Sequence, residues 1–203
     1  MMLKSAIIFG EDALCCVLGN ALFRQLGQSA RVLPPASGAG PFKAGIPRMN
    51  DVAKSGFIVL MLADADQAAC APVQLKSWAP RGVHQNLLLR LAVRESESWV
   101  LADRMAFAEF VQVSAAVMPQ APDQLPDPKQ VLLNLVRRGK RRDLRDDMLP
   151  AKGSRSNIGL GYNAQLQRFV NEHWQSDRAM EHSPSLAKAV VRIRTAIEQQ
   201  PAP

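Results

Sequence analysis

The chain has 203 residues and a mass of 22.2 kDa, is 47% hydrophobic and 21% charged, and carries 25 basic against 18 acidic residues for a net charge of +7. That length holds one main hydrophobic core, and the composition excludes a disordered chain, a coiled coil or a collagen-like fibre. The longest apolar run, Phe57 to Ala63, stops at Asp64 far short of a membrane span, and the first residues lack a signal peptide's length and cleavage pattern, so the expectation is a cytoplasmic protein.

In chain order, Lys4 to Phe9 reads as a short strand that Gly10-Glu11-Asp12 stops before apolar residues at helical spacing, Leu14, Val17, Leu18, Ala21, Leu22 and Leu26. A second strand is expected at Ala30 to Leu33, ended by Pro34-Pro35, and the glycine-rich stretch Ser37 to Gly45 reads as a loop. Phe57 to Ala63 has no polar alternation and reads as a central strand covered on both faces. Leu87 to Val93 is a further strand leading into Arg94-Glu95-Ser96-Glu97-Ser98-Trp99 and a helix. Alternating strands and helices predict an α/β fold with a mostly parallel sheet flanked by helices over 1–112. Pro119, Pro122, Pro126 and Pro128 mark a boundary, after which Lys129 to Val136, Asn163 to Trp174 and Ser185 to Ile197 read as helices of a basic C-terminal extension, 113–203, with a frayed tail from Gln199.

Acidic residues follow three strands: Glu11 the first, Asp64 and Asp66 the central one, Glu95 and Glu97 the next. Strands of a parallel sheet share one carboxyl edge, so these groups should converge there. If strand geometry persists to Asp66, Asp64 and Asp66 point to the same side and can hold one cation. Several close carboxylates repel and raise one another's pKa values unless divalent cations neutralise them, and oxygen-only ligands select magnesium or manganese. Turn formation and helix capping compete as roles for any single carboxylate, Glu11 and Asp12 included.

The glutamate in F-G-E-D-A-L (Glu11) and the Asp-x-Asp in M-L-A-D-A-D (Asp64, Asp66) resemble the acidic signature of Toprim domains, the metal-binding modules of topoisomerases, primases and OLD-type nucleases. A-V-R-E-S-E-S-W-V-L-A-D, residues 92–103, resembles more narrowly the Arg-Glu-x-Glu-x-Trp-x-Leu-x-Asp signature of a Toprim-like family often encoded near ATPases in prokaryotic phage-defence regions. Cys70 after the Asp-x-Asp and S-P-S-L at Ser183 to Leu186 also resemble that family, whereas the Phe9-Gly10 turn is less glycine-rich than its Toprim counterparts. The resemblance implies a Toprim-like fold and a Mg2+-dependent (or Mn2+-dependent) nuclease with Glu11, Asp64, Asp66 and Glu95 as catalytic metal ligands, joined by Glu97 as a further ligand. A helix starting near Glu95 would turn Trp99, Ala102, Ala106 and Phe110 inward and leave Asp103 about 80° around the axis from Glu95, near the site or supporting it. Trp99 reads as core. Arg94 has three open roles: pairing with the carboxylates, gripping a phosphate, or a structural ion pair.

From Lys129 to Arg155 nine basic residues face three acidic ones, so most of the net charge lies in this stretch. Arg138, Lys140, Arg141 and Arg142, in R-R-G-K-R-R, are candidate contacts to a nucleic-acid backbone, DNA or RNA, against the alternative of a solvated loop. Eleven aromatics, Tyr162 the sole tyrosine, signal no base-stacking platform. Cys15, Cys16 and Cys70 are odd in number and show no metal spacing. His84, His173 and His182 stand apart, and neither a Gly-x-Ser-x-Gly nor a phosphate loop is present. The expected function is phosphodiester hydrolysis of nucleic acid, possessed by the chain alone or beside an ATPase partner. The alternative is a noncatalytic nucleic-acid-binding or regulatory subunit of that ATPase.

Overall fold

The structure is a computed structural model and describes residues 6–66 and 70–200; Lys4 and Ser5 of the expected first strand and 201–203 of the tail lie outside the described residues. Four strands, β1 (Ala6–Gly10), β2 (Ala30–Val32), β3 (Val59–Asp64) and β4 (Leu87–Ala92), form a sheet in the order β2-β1-β3-β4, every pair parallel. The α/β architecture is therefore the one the strand–helix alternation predicts. Period-2 alternation divides the side chains between two cores. Ile8, Leu60, Leu62, Leu88 and Ala92 enter one, and Val59, Met61, Ala63, Leu87, Leu89 and Leu91 enter the other. β3 is thus buried on both faces, which is why its sequence shows no polar alternation.

The first helix, α1 (Ala13–Gln25), starts at Asp12, whose carboxylate accepts the Cys15 N–H at 2.8 Å. The second, α2 (Ala39–Lys54), occupies much of the stretch expected to be a loop. Phe42, Ile46, Met49 and Ala53 form a buried stripe at helical spacing, and that packing outweighs the glycines and Pro47. Gly45 is required there: a Cβ would lie 2.7 Å from the Phe9 ring, which stacks on Phe42. Next come α3 (Ala71–Trp78), beside the same core as α2, then α4 (Ser96–Ala102) and α5 (Arg104–Val111).

Beyond these lie α6 (Pro128–Arg138), α7 (Arg142–Met148), α8 (Tyr162–Glu172), α9 (Ser176–Ala179) and α10 (Pro184–Glu198). Leu132, Leu135, Phe169, Val170, Val190 and Ile193 from this C-terminal part share one core with α1, α4 and the sheet. No described helix is long and apolar enough to cross a membrane.

Candidate metal centre

The strand order reverses direction at β1, so the crevice between the carboxyl ends of β1 and β3 is the topological switch point where open α/β sheets place their sites. Glu11 follows β1 directly; its N–H donates to the Leu62 carbonyl (2.9 Å), and its Oε2 accepts the Asp64 N–H (3.3 Å). Asp12, not Glu11, caps α1. Asp64 ends β3, and its Oδ1 accepts the Ser96 N–H at 2.8 Å, with the Cys15 thiol donating to the same oxygen at 3.7 Å. Burial pushes Asp64 well above the usual carboxylate range, and Glu97, Asp12 and Glu11 push it further than the Ser96 bond lowers it. Burial also raises Glu11, with Asp66 and Asp12 adding to the effect.

The first turn of α4 brings in the third acidic group. Glu97 is buried; its Oε1 accepts the Tyr162 hydroxyl at 2.9 Å and lies 3.4 Å from the Lys129 ammonium. Its Oε2 is shut away from solvent without a hydrogen-bond partner, as is Ser96 Oγ. Burial holds Glu97 above its ordinary pKa despite Lys129 and Tyr162. Glu95 reaches the first turn of α6, which Asp127 caps: its Oε2 accepts the Lys129 N–H at 3.0 Å, while its Oε1 lies 3.9 Å from Lys129 Nζ. Burial pulls the Lys129 pKa down, but Glu97, Glu95 and Asp64 together outweigh it and leave it raised.

Lys129 and Tyr162 reach this centre from the C-terminal half. In the sequence Lys129 is one of the basic residues and Tyr162 the sole tyrosine, and no local signal marks either as a neighbour of Glu97. Removing the Tyr162 hydroxyl leaves a second oxygen of a buried carboxylate under-satisfied. Tyr162→Phe should cost about 1–2 kcal/mol in urea unfolding, and an unchanged midpoint would show that Lys129 alone suffices for Glu97.

Strand geometry ends at Asp64. Asp66 stands in a turn at φ 50°, its N–H donating to the Arg94 carbonyl at 2.9 Å, so the extended backbone needed to align Asp64 with Asp66 is absent. The helix expected from Glu95 through Phe110 breaks at Asp103, between α4 and α5. Buried there, Asp103 accepts the Arg178 guanidinium (2.9 and 2.6 Å) and the Gln175 N–H (2.8 Å), which joins α4 to α9. Asp103→Asn should destabilise by about 1–3 kcal/mol, less than a fully buried pair because Arg178 is half exposed. A urea midpoint equal to the parent's would show the pair to be energetically idle. Trp99 is core, fully buried, its indole N–H bonded to Ser185 Oγ at 2.8 Å.

Among the described residues, no three His, Cys, Asp or Glu side chains stand close enough together to hold a metal ion as they are arranged here. The donor set nevertheless suits a hard divalent ion. Asp64, Glu97 and Glu11 offer oxygen ligands, Glu97 has a buried unpartnered oxygen, and the Lys129 ammonium stands in as the local counter-charge.

The basic cluster lies at the other end of α6. Arg138 is nine residues beyond Lys129, about 14 Å along the axis. Arg138, Lys140 and Arg142 are exposed, Arg142 lies 3.5 Å from Asp146, and Arg141 pairs with Asp143 and sits over the Phe110 ring.

No protein-family model and no curated protein matches the chain. Among solved structures, the C-terminal region of the Burkholderia pseudomallei OLD protein is similar at 16% identity and a TM-score of 0.46, covering 95% of this chain and 98% of that one. Likeness at that level says nothing of this chain's activity.

Proposed function

We propose that the chain is a divalent-metal-dependent nuclease of the Toprim type, hydrolysing phosphodiester bonds of nucleic acid. The observation that supports this reading best is the grouping of Glu11, Asp64 and Glu97 at the switch point, with a buried carboxylate oxygen on Glu97 left without a partner. Carboxylates held this way cost the fold free energy, and a ligand cation offsets that cost. Asp64, Glu97 and Glu11 bind the metal, with Asp66 and Glu95 at its margin. A magnesium or manganese ion held by these carboxylates would supply Lewis-acid chemistry, activating water and offsetting charge on the phosphate. Tyr162 and Glu95 orient Glu97 and Lys129, and Lys129 is placed to meet a phosphate oxygen once the carboxylates are neutralised. Arg94 follows β4 and directly precedes Glu95 in the chain.

A cleavage assay on single- and double-stranded DNA and RNA, with magnesium, manganese or chelator, tests the reading. Cleavage that appears with metal and vanishes with chelator supports it. Metal-independent cleavage or none overturns it, and absence of cleavage with retained nucleic-acid binding would favour a noncatalytic subunit of an ATPase.

The exposed cations of 138–142 serve in this reading to track the backbone of the substrate. Neutralising Arg138, Lys140, Arg141 and Arg142 together should weaken binding about equally across sequences and flatten the slope of log affinity against log salt by up to about 3–4. An unchanged slope would make this face a solvated surface.

A further inference from the structure

β4 is an outer strand of the sheet. The Val59 N–H donates to the Asn86 carbonyl and the Ala65 N–H to the Ala92 carbonyl, so the even-numbered residues of β4 turn their backbone toward β3. In a parallel ladder the odd-numbered residues then turn theirs outward, which aims the N–H and C=O of Leu89 and Leu91 at the outer edge, where the two residues are 7% and 5% exposed at the bottom of a cleft. Among the described residues nothing pairs with these groups across that edge.

The edge forms the floor of a groove between α3 and α10, with clefts of about 500 and 320 Å3 that share Leu75 and Arg90. Its α3 wall is mainly apolar, with Lys76 also lining it, and its α10 wall carries Lys188 and Arg192 with the exposed Val191 between them; Asp123 lines it too, with its carboxylate already taken up by the Ser183 hydroxyl and the Ser185 N–H. Arg90 belongs to this wall. It holds the position between Leu88 and Ala92 on the face where those two neighbours enter the core, and its Nε is shut away from solvent without a partner. Burial and the neighbouring Arg192 both act against its charge. A cation placed in that way is costly until a carboxylate meets it.

We propose that this groove docks an extended segment of a partner protein, which adds to the sheet beside β4 and alternates acidic with aliphatic residues. Backbone pairing with Leu89 and Leu91 supplies the affinity, and the alternation follows from the two walls. Residues facing α10 meet Arg90, Lys188 and Arg192 and are acidic; those facing α3 meet Leu75 and are aliphatic. A second copy of this chain fits less well, because edge-to-edge pairing of β4 would bring the same cations together. A nucleic-acid strand also fits less well, since the outward carbonyls of Leu89 and Leu91 repel phosphate.

The test is fluorescence anisotropy of the full chain with a labelled, end-capped peptide of alternating Glu and Val. Comparisons are a Lys/Val peptide, a Glu/Val peptide N-methylated on alternate amides, and the variant Lys188→Glu/Arg192→Glu, with helicity checked by circular dichroism. Saturable binding of the Glu/Val peptide is expected, weakened about tenfold or more by each change. Absence of binding, or equal binding of the N-methylated peptide or by the variant, overturns the proposal. So would an oligonucleotide that binds as tightly and is lost in the same variant, or a wild-type dimer in sedimentation that the charge reversal dissociates.

Discussion

Asp64→Asn should abolish metal-dependent cleavage while making the metal-free protein more stable at neutral pH. The carboxylate of Asp64 is held above its ordinary pKa by burial and by Glu97, Asp12 and Glu11. A group raised in this direction binds its proton more tightly in the native state than in the unfolded chain. Its contribution is therefore most favourable below the unfolded value, about 4, and declines as pH rises toward the folded value. Asparagine keeps the shape and can still accept the Ser96 N–H, but has no charge to desolvate. The variant's advantage over the parent should vanish near pH 4 and grow to ~1 kcal/mol or more at neutral pH. Cleavage should fall by about a thousandfold or more, because placement of the metal governs both the nucleophile and the stabilisation of charge. Urea unfolding at several pH values beside cleavage by the same preparations checks both halves. A variant that unfolds more easily yet cleaves normally would make Asp64 a structural acceptor for Ser96 and nothing more.

Lys129→Met should do the reverse to stability, and added metal should repair it. The ammonium sits 3.4 Å from Glu97 and 3.9 Å from Glu95, and Asp64 also raises its pKa. Removing it leaves Glu97 buried with only the Tyr162 hydroxyl. The expected loss is about 1–3 kcal/mol at neutral pH, below the figure for a fully buried pair because Lys129 is 38% exposed. Lysine with a raised pKa contributes fully at all pH values below its unfolded value, so its own titration leaves the neutral range untouched. The deficit should shrink instead as pH falls toward about 4 and the carboxylates take up protons. If a divalent ion takes over the counter-charge, millimolar magnesium should raise the melting temperature of the variant more than that of the parent. A deficit that neither acid nor magnesium reduces would place the role of Lys129 in packing its aliphatic stem.

The strands β1, β3 and β4 were legible because each is an apolar run too short for a helix, and β3, buried on both faces, shows no polar alternation. Their parallel order alone puts Glu11, Asp64 and the acids after β4 at one edge. The α2 helix was not legible because its glycines and prolines imitate a loop; the burial of Phe42, Ile46, Met49 and Ala53, the stacking of Phe42 on Phe9 and the space left by Gly45 account for it. The break at Asp103 was hidden for a similar reason. Residues 96–111 carry a continuous apolar rhythm, but the pull of Arg178 and Gln175 on Asp103 accompanies a break that no turn residue announces. Lys129 and Tyr162 arrive across 34 and 65 residues of sequence, so their meeting with Glu95 and Glu97 is purely tertiary.

Isothermal titration of manganese into the full chain tests most directly whether the switch-point carboxylates bind a divalent cation. Saturable binding that is lost in both Asp64→Asn and Glu97→Gln, with each variant folded by circular dichroism, is the predicted result. Absence of binding to the parent, or binding that survives unchanged in both variants, would contradict it.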